Sequence, residues 1–161
     1  MTGTPLFRSG QKGGDFTLEK LTKEAEMIMT ERFGKDNIIA LATTINGIPY
    51  ARNVNAFYEN GSFYVITHGL SNKMKQIEQN PLVAIAGDWF TAHGTGVNLG
   101  YFGKPENAEI AGKLRKAFAE WIDNGHNNFE DPNTCILSVR LKDGILFSHG
   151  TRYEIDFEQP A

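Results

Sequence analysis

The sequence lacks most of the features that mark cross-linked, membrane-spanning or nucleic-acid-binding proteins. Its single cysteine, Cys135, excludes an intramolecular disulfide and a cysteine-rich metal site. No apolar run approaches the roughly 20 residues of a membrane-spanning helix, and the N-terminus has no basic start followed by an apolar stretch. The formal net charge of -3 disfavours partners with phosphate backbones. We therefore expect a cytoplasmic protein with no nucleic-acid or membrane partner.

Metal-binding patterns are missing as well. Three of the four histidines, His68, His126 and His149, lack the close paired spacing of zinc motifs. Cys135 precedes Ile136 and Leu137, a context typical of a small buried residue in a strand. We expect no metal site.

Short β-rich runs separated by turn residues dominate what is present. Asn46-Gly47 and Asn60-Gly61 are hairpin signals, and they predict a three-stranded meander over residues 38–45, 48–57 and 62–67. Further strands are predicted over 81–86, 135–141 and 145–157, with Lys142-Asp143-Gly144 as the turn of a final hairpin. Six antiparallel strands with a few helices predict an α+β fold built on a small β-barrel.

Helical spacing of apolar residues predicts the flanking helices. The first should begin at Leu18, with Thr17 as its N-cap and Phe16 as a hydrophobic staple, and end at Gly34. A second is expected over 72–79, and a third from Pro105 toward Trp121. Residues 1–15 contain four glycines and read as a flexible lead-in to one domain over 16–161.

One segment has a pattern suited to binding an anion. A strand ending at Thr67 leads into a helix whose N-cap is Ser71, and Lys73 and Lys75 lie in its first turn, where the helix dipole disfavours cations. Backbone N–H groups, two hydroxyls and an ammonium group can together hold a phosphate without a P-loop. From these residues alone, a solvent-exposed basic turn stays open as the alternative to a phosphate site.

The order Arg52-Asn53-Val54-Asn55, then Thr67, Ser71-Asn72-Lys73 and Asn80-Pro81, resembles the FMN-binding core of the pyridoxamine 5′-phosphate oxidase-like split-barrel family. The resemblance covers residues 16 to 103 and implies a split β-barrel. It also implies FMN as cofactor. The cofactor-binding residues that it implies are Arg52, Asn53, Val54, Asn55, Ile66, Thr67, Ser71, Asn72, Lys73 and, in the segment after the strand predicted over 81–86, Thr95; His93 is added because it lies among glycines.

Departures from the family pattern are informative. Asn72 replaces an arginine beside the phosphate lysine, and Phe57 replaces the lysine that holds the substrate phosphate. An apolar ring cannot bind a second phosphate, so we do not expect a true pyridoxamine phosphate oxidase. The chain is more similar to the general-stress-protein branch.

The resemblance implies an FMN-dependent oxidoreductase, with a nicotinamide as one possible donor, acting on an unidentified small substrate. Because family flavin sites lie between subunits, it also implies a homodimer. Two alternatives stay open: a non-catalytic flavin-binding or sensing module, and the same barrel holding haem or a deazaflavin. The sequence identifies no catalytic residue.

Overall fold

A computed structural model describes residues 18–160. The elements are, in order, β1 (Glu19–Leu21), α1 (Lys23–Phe33), β2 (Asn37–Ile45), β3 (Ile48–Glu59), β4 (Ser62–His68), α2 (Asn72–Gln79), β5 (Leu82–Gly87), β6 (Phe90–Tyr101), a 3₁₀ turn (Pro105–Asn107), α3 (Ala108–Ala117), β7 (Thr134–Ser148) and β8 (Thr151–Pro160). The predicted α+β class is confirmed.

Six of the strands form a closed antiparallel barrel. They are hydrogen-bonded in the order β7-β4-β3-β2-β5-β6, and β6 pairs again with β7 to close the ring. The remaining strands extend the sheet beyond the ring, because β8 pairs with the second half of β7 and β1 pairs in parallel with β8. A ring of this kind removes most exposed sheet edges.

The ring is split between β3 and β4. These strands pair only near their hairpin, where Phe57, Tyr58 and Glu59 face Tyr64, Phe63 and Ser62. Beyond that point β3 continues along β2 over 48–56, while β4 continues along β7 over 65–68. The two strands thus separate and leave an opening, which we call the split.

Two hydrophobic clusters fix this geometry. The larger one fills the barrel with inward-facing side chains, among them Leu41, Phe63, Val83 and Leu146, and α1 and α2 add residues to it. The smaller one lies outside the barrel, where α3 and the following turn pack on β4 and β7. Because of this second layer, β7 is buried on both faces from Thr134 to Val139.

The start of the first helix differs from the prediction. Residues 19–21 form β1 rather than a helical turn, and α1 begins at Lys23 with Thr22 as its N-cap. The Thr22 hydroxyl accepts a hydrogen bond from Ala25 N at 3.1 Å, so Thr17 is not the cap. Phe16, Thr17 and the predicted lead-in lie outside the described residues, and the domain bounds stay a prediction.

The final hairpin was predicted at the wrong turn. The chain reverses at His149-Gly150, both at positive φ, which is the geometry of a two-residue hairpin. At 142–144 the strand continues with a bulge, because His93 pairs with Asp143 while Gly94 pairs with Leu141.

Strand β6, which contains Gly94 and Gly96, was not predicted from the sequence. A Cβ on Gly94 would lie 2.8 Å from Arg140 O, and one on Gly96 would lie 2.8 Å from Ile77 Cγ2. These glycines therefore allow a close approach of β7 and α2 to β6.

The third helix is shorter than expected. Pro105 opens the 3₁₀ turn, and α3 ends at Ala117. Its apolar residues nevertheless pack in the outer cluster, as do Phe118 and Trp121 beyond it. Within residues 18–160, no helix has the length and apolar composition needed to span a membrane.

Candidate functional site

The mouth of the split brings together β3, β4 and the N-terminus of α2. Helix α2 follows β4 after a short loop and packs across one end of the barrel, where Met74 and Ile77 are buried in the inner cluster. Polar side chains from all three elements meet there: Arg52 on β3, Thr67 on β4, and Lys73 on α2.

Lys73 points back from the first turn of α2 toward the end of β4. Its Nζ donates a hydrogen bond of 2.8 Å to the hydroxyl of Thr67, which is buried. Burial, and next the charge of Arg52, hold the pKa of Lys73 below its ordinary value. Both causes disfavour the ammonium form, so a bound anion would relieve an electrostatic cost.

Arg52 extends inward beneath α2. Its guanidinium donates to Thr43 Oγ1 at 2.9 Å and to Gln76 Oε1 at 3.1 Å, and the Thr43 hydroxyl donates to the same Gln76 oxygen at 2.6 Å. Burial lowers the pKa of Arg52. Within residues 18–160 neither Arg52 nor Lys73 forms an ion pair with a carboxylate.

Ser71 is the N-cap of α2, yet its side chain makes no capping hydrogen bond. Its Oγ is buried and has no hydrogen-bond partner. A buried hydroxyl without a partner costs about 1–3 kcal/mol, and the first turn of α2 contains no acidic residue. The helix N-terminus is therefore electropositive and holds one unused polar group.

Two desolvated cations, an unpartnered hydroxyl and a helix N-terminus meet at this corner, and together they are the kinds of group that suit an anion. We call the group Arg52, Thr67, Ser71 and Lys73 the cradle. Its donors match the oxygens of a phosphate monoester. The residues present therefore fit the terminal phosphate of a flavin mononucleotide.

The remaining residues predicted on β3 and β4 line the split with different environments. Asn53 is exposed, and Val54 packs against the inner cluster. The Asn55 amide donates to Asp36 Oδ1 at 3.0 Å, and Ile66 packs against the outer cluster. Asn72, at the start of α2, is exposed. Asn55 and Ile66 thus have structural contacts besides any role at the split.

His93 and Thr95 lie elsewhere. Both are on β6, which is three strands away from β3 around the ring. They share the outward face of β6, and His93 Nδ1 lies 2.9 Å from Asp143 Oδ1. Within one chain the structure does not bring either residue to the cradle.

The sequence interpretation missed several residues of the cradle's surroundings. Thr43 and Gln76 orient Arg52, although they are separated by 33 residues in the chain. His68 and Asp131, 3.2 Å apart, hold the loop before α2. No local motif indicates them, because the contacts exist only after the barrel closes.

Solved structures share this architecture at low sequence identity. General Stress Protein 26 from Bacillus anthracis matches with a TM-score of 0.60 and 18% identity, over 81% of this chain and 98% of that chain. The chain has the split-barrel fold of the pyridoxamine 5′-phosphate oxidase-like proteins. The predicted likeness to the general-stress-protein branch is confirmed at the level of fold.

Solved structures with this fold differ in the cofactor they are named for. An FAD-binding protein from Mesorhizobium loti matches with a TM-score of 0.55 and 15% identity, over 73% of this chain and 90% of that chain. A heme binding protein from Mycobacterium smegmatis matches with a TM-score of 0.61 and 17% identity, over 86% of this chain and 60% of that chain. No family model and no curated protein matches the sequence.

Proposed function

We propose that this protein is an FMN-binding flavoprotein of the split-barrel type and that it transfers electrons between FMN and a small substrate. The observation that carries the proposal is the cradle at the mouth of the split. There, Ser71 has a buried hydroxyl without a partner beside two cations that have no carboxylate partner within residues 18–160.

The cradle favours a terminal phosphate over the internal diphosphate of FAD. Its donors converge on one corner from three elements, where Thr67 is buried and Lys73 is half-buried. A monoester dianion places three oxygens in such a corner, whereas a diphosphate must leave it on both sides. Fold likeness alone does not choose between these ligands.

The split next to the cradle offers a place for the flavin ring. Along 52–56 on β3 and 65–68 on β4, each strand is paired on one side only. Backbone N–H and C=O groups on these edges match the donors and acceptors of the ring's polar edge. Arg52, Asn53, Val54 and Asn55 would line one edge, and Ile66 and Thr67 the other.

When bound, FMN supplies the redox chemistry. The contribution of this chain is to bind the phosphate, to orient the ring against the edges of the split, and to exclude water with the outer cluster. Arg52 places positive charge below the cofactor, and it is oriented by Thr43 and Gln76. A nicotinamide remains a proposed donor, and a homodimer remains the proposed assembly.

The test is the visible spectrum of the protein titrated with FMN. We expect bound flavin bands in the wild type, and a loss of affinity of about 10- to 100-fold in Lys73→Ala, since one charge-assisted contact and its long-range attraction are removed. Lys75→Ala is the matched control, because Lys75 is an exposed lysine in the same turn. No FMN binding by the wild type, or an equal loss of affinity in both variants, would refute the proposal that the cradle binds the FMN phosphate.

A flavin-binding module without turnover is the second candidate. The observation that favours it is Phe57, whose position would hold the substrate phosphate in a true pyridoxamine phosphate oxidase and whose ring instead packs against the outer cluster. Reduction of the bound flavin by NADH or NADPH at catalytic rates would exclude this candidate. A Soret band after haem addition, without flavin binding, would instead support a haem protein, and a deazaflavin would show different bands from FMN.

A further inference from the structure

A separate site lies on the outer face of the barrel, where β2, β3, β5, β6 and β7 present small side chains. One lateral row across these strands consists of Ala51, Ala42, Ala84, His93 and Asp143, each directly opposite the next. Burial alternates along these strands, so the members of the row face outward, away from the barrel core. We call this surface the alanine face.

The neighbouring row extends the alanine face. It contains Ala40, Ala86, Thr91 and Ile145 in matching register. A cavity of about 390 Å³ lies over the two rows. That volume is in the range of small-molecule sites, and methyl groups form most of its floor.

His93 and Asp143 are the ionisable groups that line this cavity. His93 Nδ1 and Asp143 Oδ1 are 2.9 Å apart, with the side chains 61% and 40% exposed. A carboxylate at this distance from Nδ1 favours the tautomer with hydrogen on Nδ1, which leaves the Nε2 lone pair free to accept a proton. The pair is therefore a general base open to a ligand.

The backbone supports this pair specifically. Strand β7 carries one extra residue, Lys142, at the bulge opposite His93 and Gly94. The extra residue reverses the alternation of β7, so Asp143 faces outward although Leu141 faces the core. Gly94 allows the close approach to Arg140 O that the bulge requires. Bulges often re-aim side chains next to active sites.

We propose that the alanine face binds a planar aromatic compound with an ionisable hydroxyl at its edge, and that His93 is the base that deprotonates it. The ring lies on the methyl floor with its hydroxyl toward His93 Nε2. The ligand O–H bond breaks, an Nε2–H bond forms, and the resulting phenolate stays beside an imidazolium held by Asp143. Besides the hydroxyl of the ligand, the cavity contains the hydroxyl of Thr91. This inference does not depend on the proposed flavin site.

The probe is 4-nitrophenol, whose phenolate form absorbs in the visible region. At a pH below the probe's own pKa, we expect the wild-type protein to increase the phenolate band with saturation at one probe per chain. His93→Gln should abolish the increase, and Asp143→Asn should weaken binding by about tenfold, as expected for a lost charge-assisted orienting contact. His126→Gln, an exposed histidine elsewhere, should behave as the wild type.

A second probe separates the ring site from the base. The methyl ether 4-nitroanisole cannot ionise, so it should compete with 4-nitrophenol in the wild type. Ala86→Leu, at an exposed position of the floor, should weaken both probes. Lys73→Ala should leave the binding of both probes unchanged. A negative result at the alanine face can therefore be distinguished from a negative result for phosphate binding at the cradle.

Three results would overturn the proposal. They are an unchanged phenolate band in His93→Gln, normal binding of both probes in Ala86→Leu, and no binding of either probe to the wild type. If the wild type does not bind and Ala86→Leu also sediments differently, the alanine face is a contact between two copies of the chain.

Discussion

At the scale of single residues, stability and function depend on different polar groups. The cradle leaves Ser71 without a partner and keeps Lys73 desolvated, which costs folding free energy. Tyr58, in contrast, is fully satisfied inside the barrel. Its hydroxyl donates to Glu26 Oε1 at 2.6 Å and accepts from Gly61 N at 3.0 Å, and so joins α1 to the β3–β4 hairpin.

Tyr58→Phe should lower the free energy of unfolding by about 1–3 kcal/mol at neutral pH, because Gly61 N–H and the Glu26 carboxylate lose a buried partner. Burial, then Glu26, raise the pKa of Tyr58 above its ordinary value of 10.0. The unfolded chain loses this proton first, so the stabilisation is complete below about pH 10 and declines above it.

Urea unfolding of both proteins across pH 7 to 11 checks this prediction. The wild type should lose stability above pH 10 more steeply than the variant. Parallel curves would show that Tyr58 does not control the alkaline decline, and Tyr50→Phe serves as the control, because Tyr50 is an exposed tyrosine.

At the scale of elements, the loop between β4 and α2 determines where the cradle's backbone N–H groups lie. His68 is bonded through both ring nitrogens, since Nδ1 accepts from Leu70 N at 3.2 Å and Nε2 lies 3.2 Å from Asp131 Oδ2. Gly69 N donates to Asn133 O at 2.6 Å. The loop is thus attached to the segment that precedes β7.

His68→Ala should weaken FMN binding by about 3- to 10-fold, because Ser71 and Lys73 lose part of their preorganisation. The melting temperature should change little, since His68 is exposed and its neighbour Gly69 keeps its bond to Asn133. Calorimetric titration and thermal unfolding measure the two effects, with His126→Ala as the matched control. An unchanged affinity for FMN would show that this loop does not preorganise the cradle.

Elements with strong local signals could be predicted from the sequence, and those fixed by distant contacts could not. Asn46-Gly47, Asn60-Gly61 and Pro81 mark β2 to β4 and the end of α2 close to their true bounds. Strand β6 was missed because Gly94 and Gly96 serve packing rather than turns. Likewise Lys73 and Thr67 could be predicted because they belong to one local motif. Thr43 and Gln76 could not, because they come together only when the barrel closes.

At the scale of the whole molecule, large apolar side chains near the mouth of the split are exposed. Ile48 and Tyr50 on β3 and Leu70 before α2 are between 41% and 59% exposed. Exposed apolar groups beside an incomplete site are typical of an interface. They are consistent with a dimer in which the second subunit covers the split.

We expect the protein to sediment at twice its 17.9 kDa mass, and Tyr50→Glu to shift it toward the monomer with weaker FMN binding, because a charge would be buried at the interface. Met27→Glu on α1 is the control, since Met27 is also exposed but lies beside the β3–β4 hairpin, where the two strands are paired and not split. A wild-type monomer at micromolar concentration would refute the shared site.

The split has a consequence for the protein without its cofactor. Strand edges with unpaired N–H and C=O groups are templates for adding a strand from another chain, and this barrel exposes such edges along 52–56 and 65–68. A ligand that fills the opening would also shield these edges. The amides there should exchange hydrogen slowly only in the loaded protein, and the empty protein should be the form that aggregates. Cofactor supply during synthesis would then affect the yield of soluble protein as well as its activity.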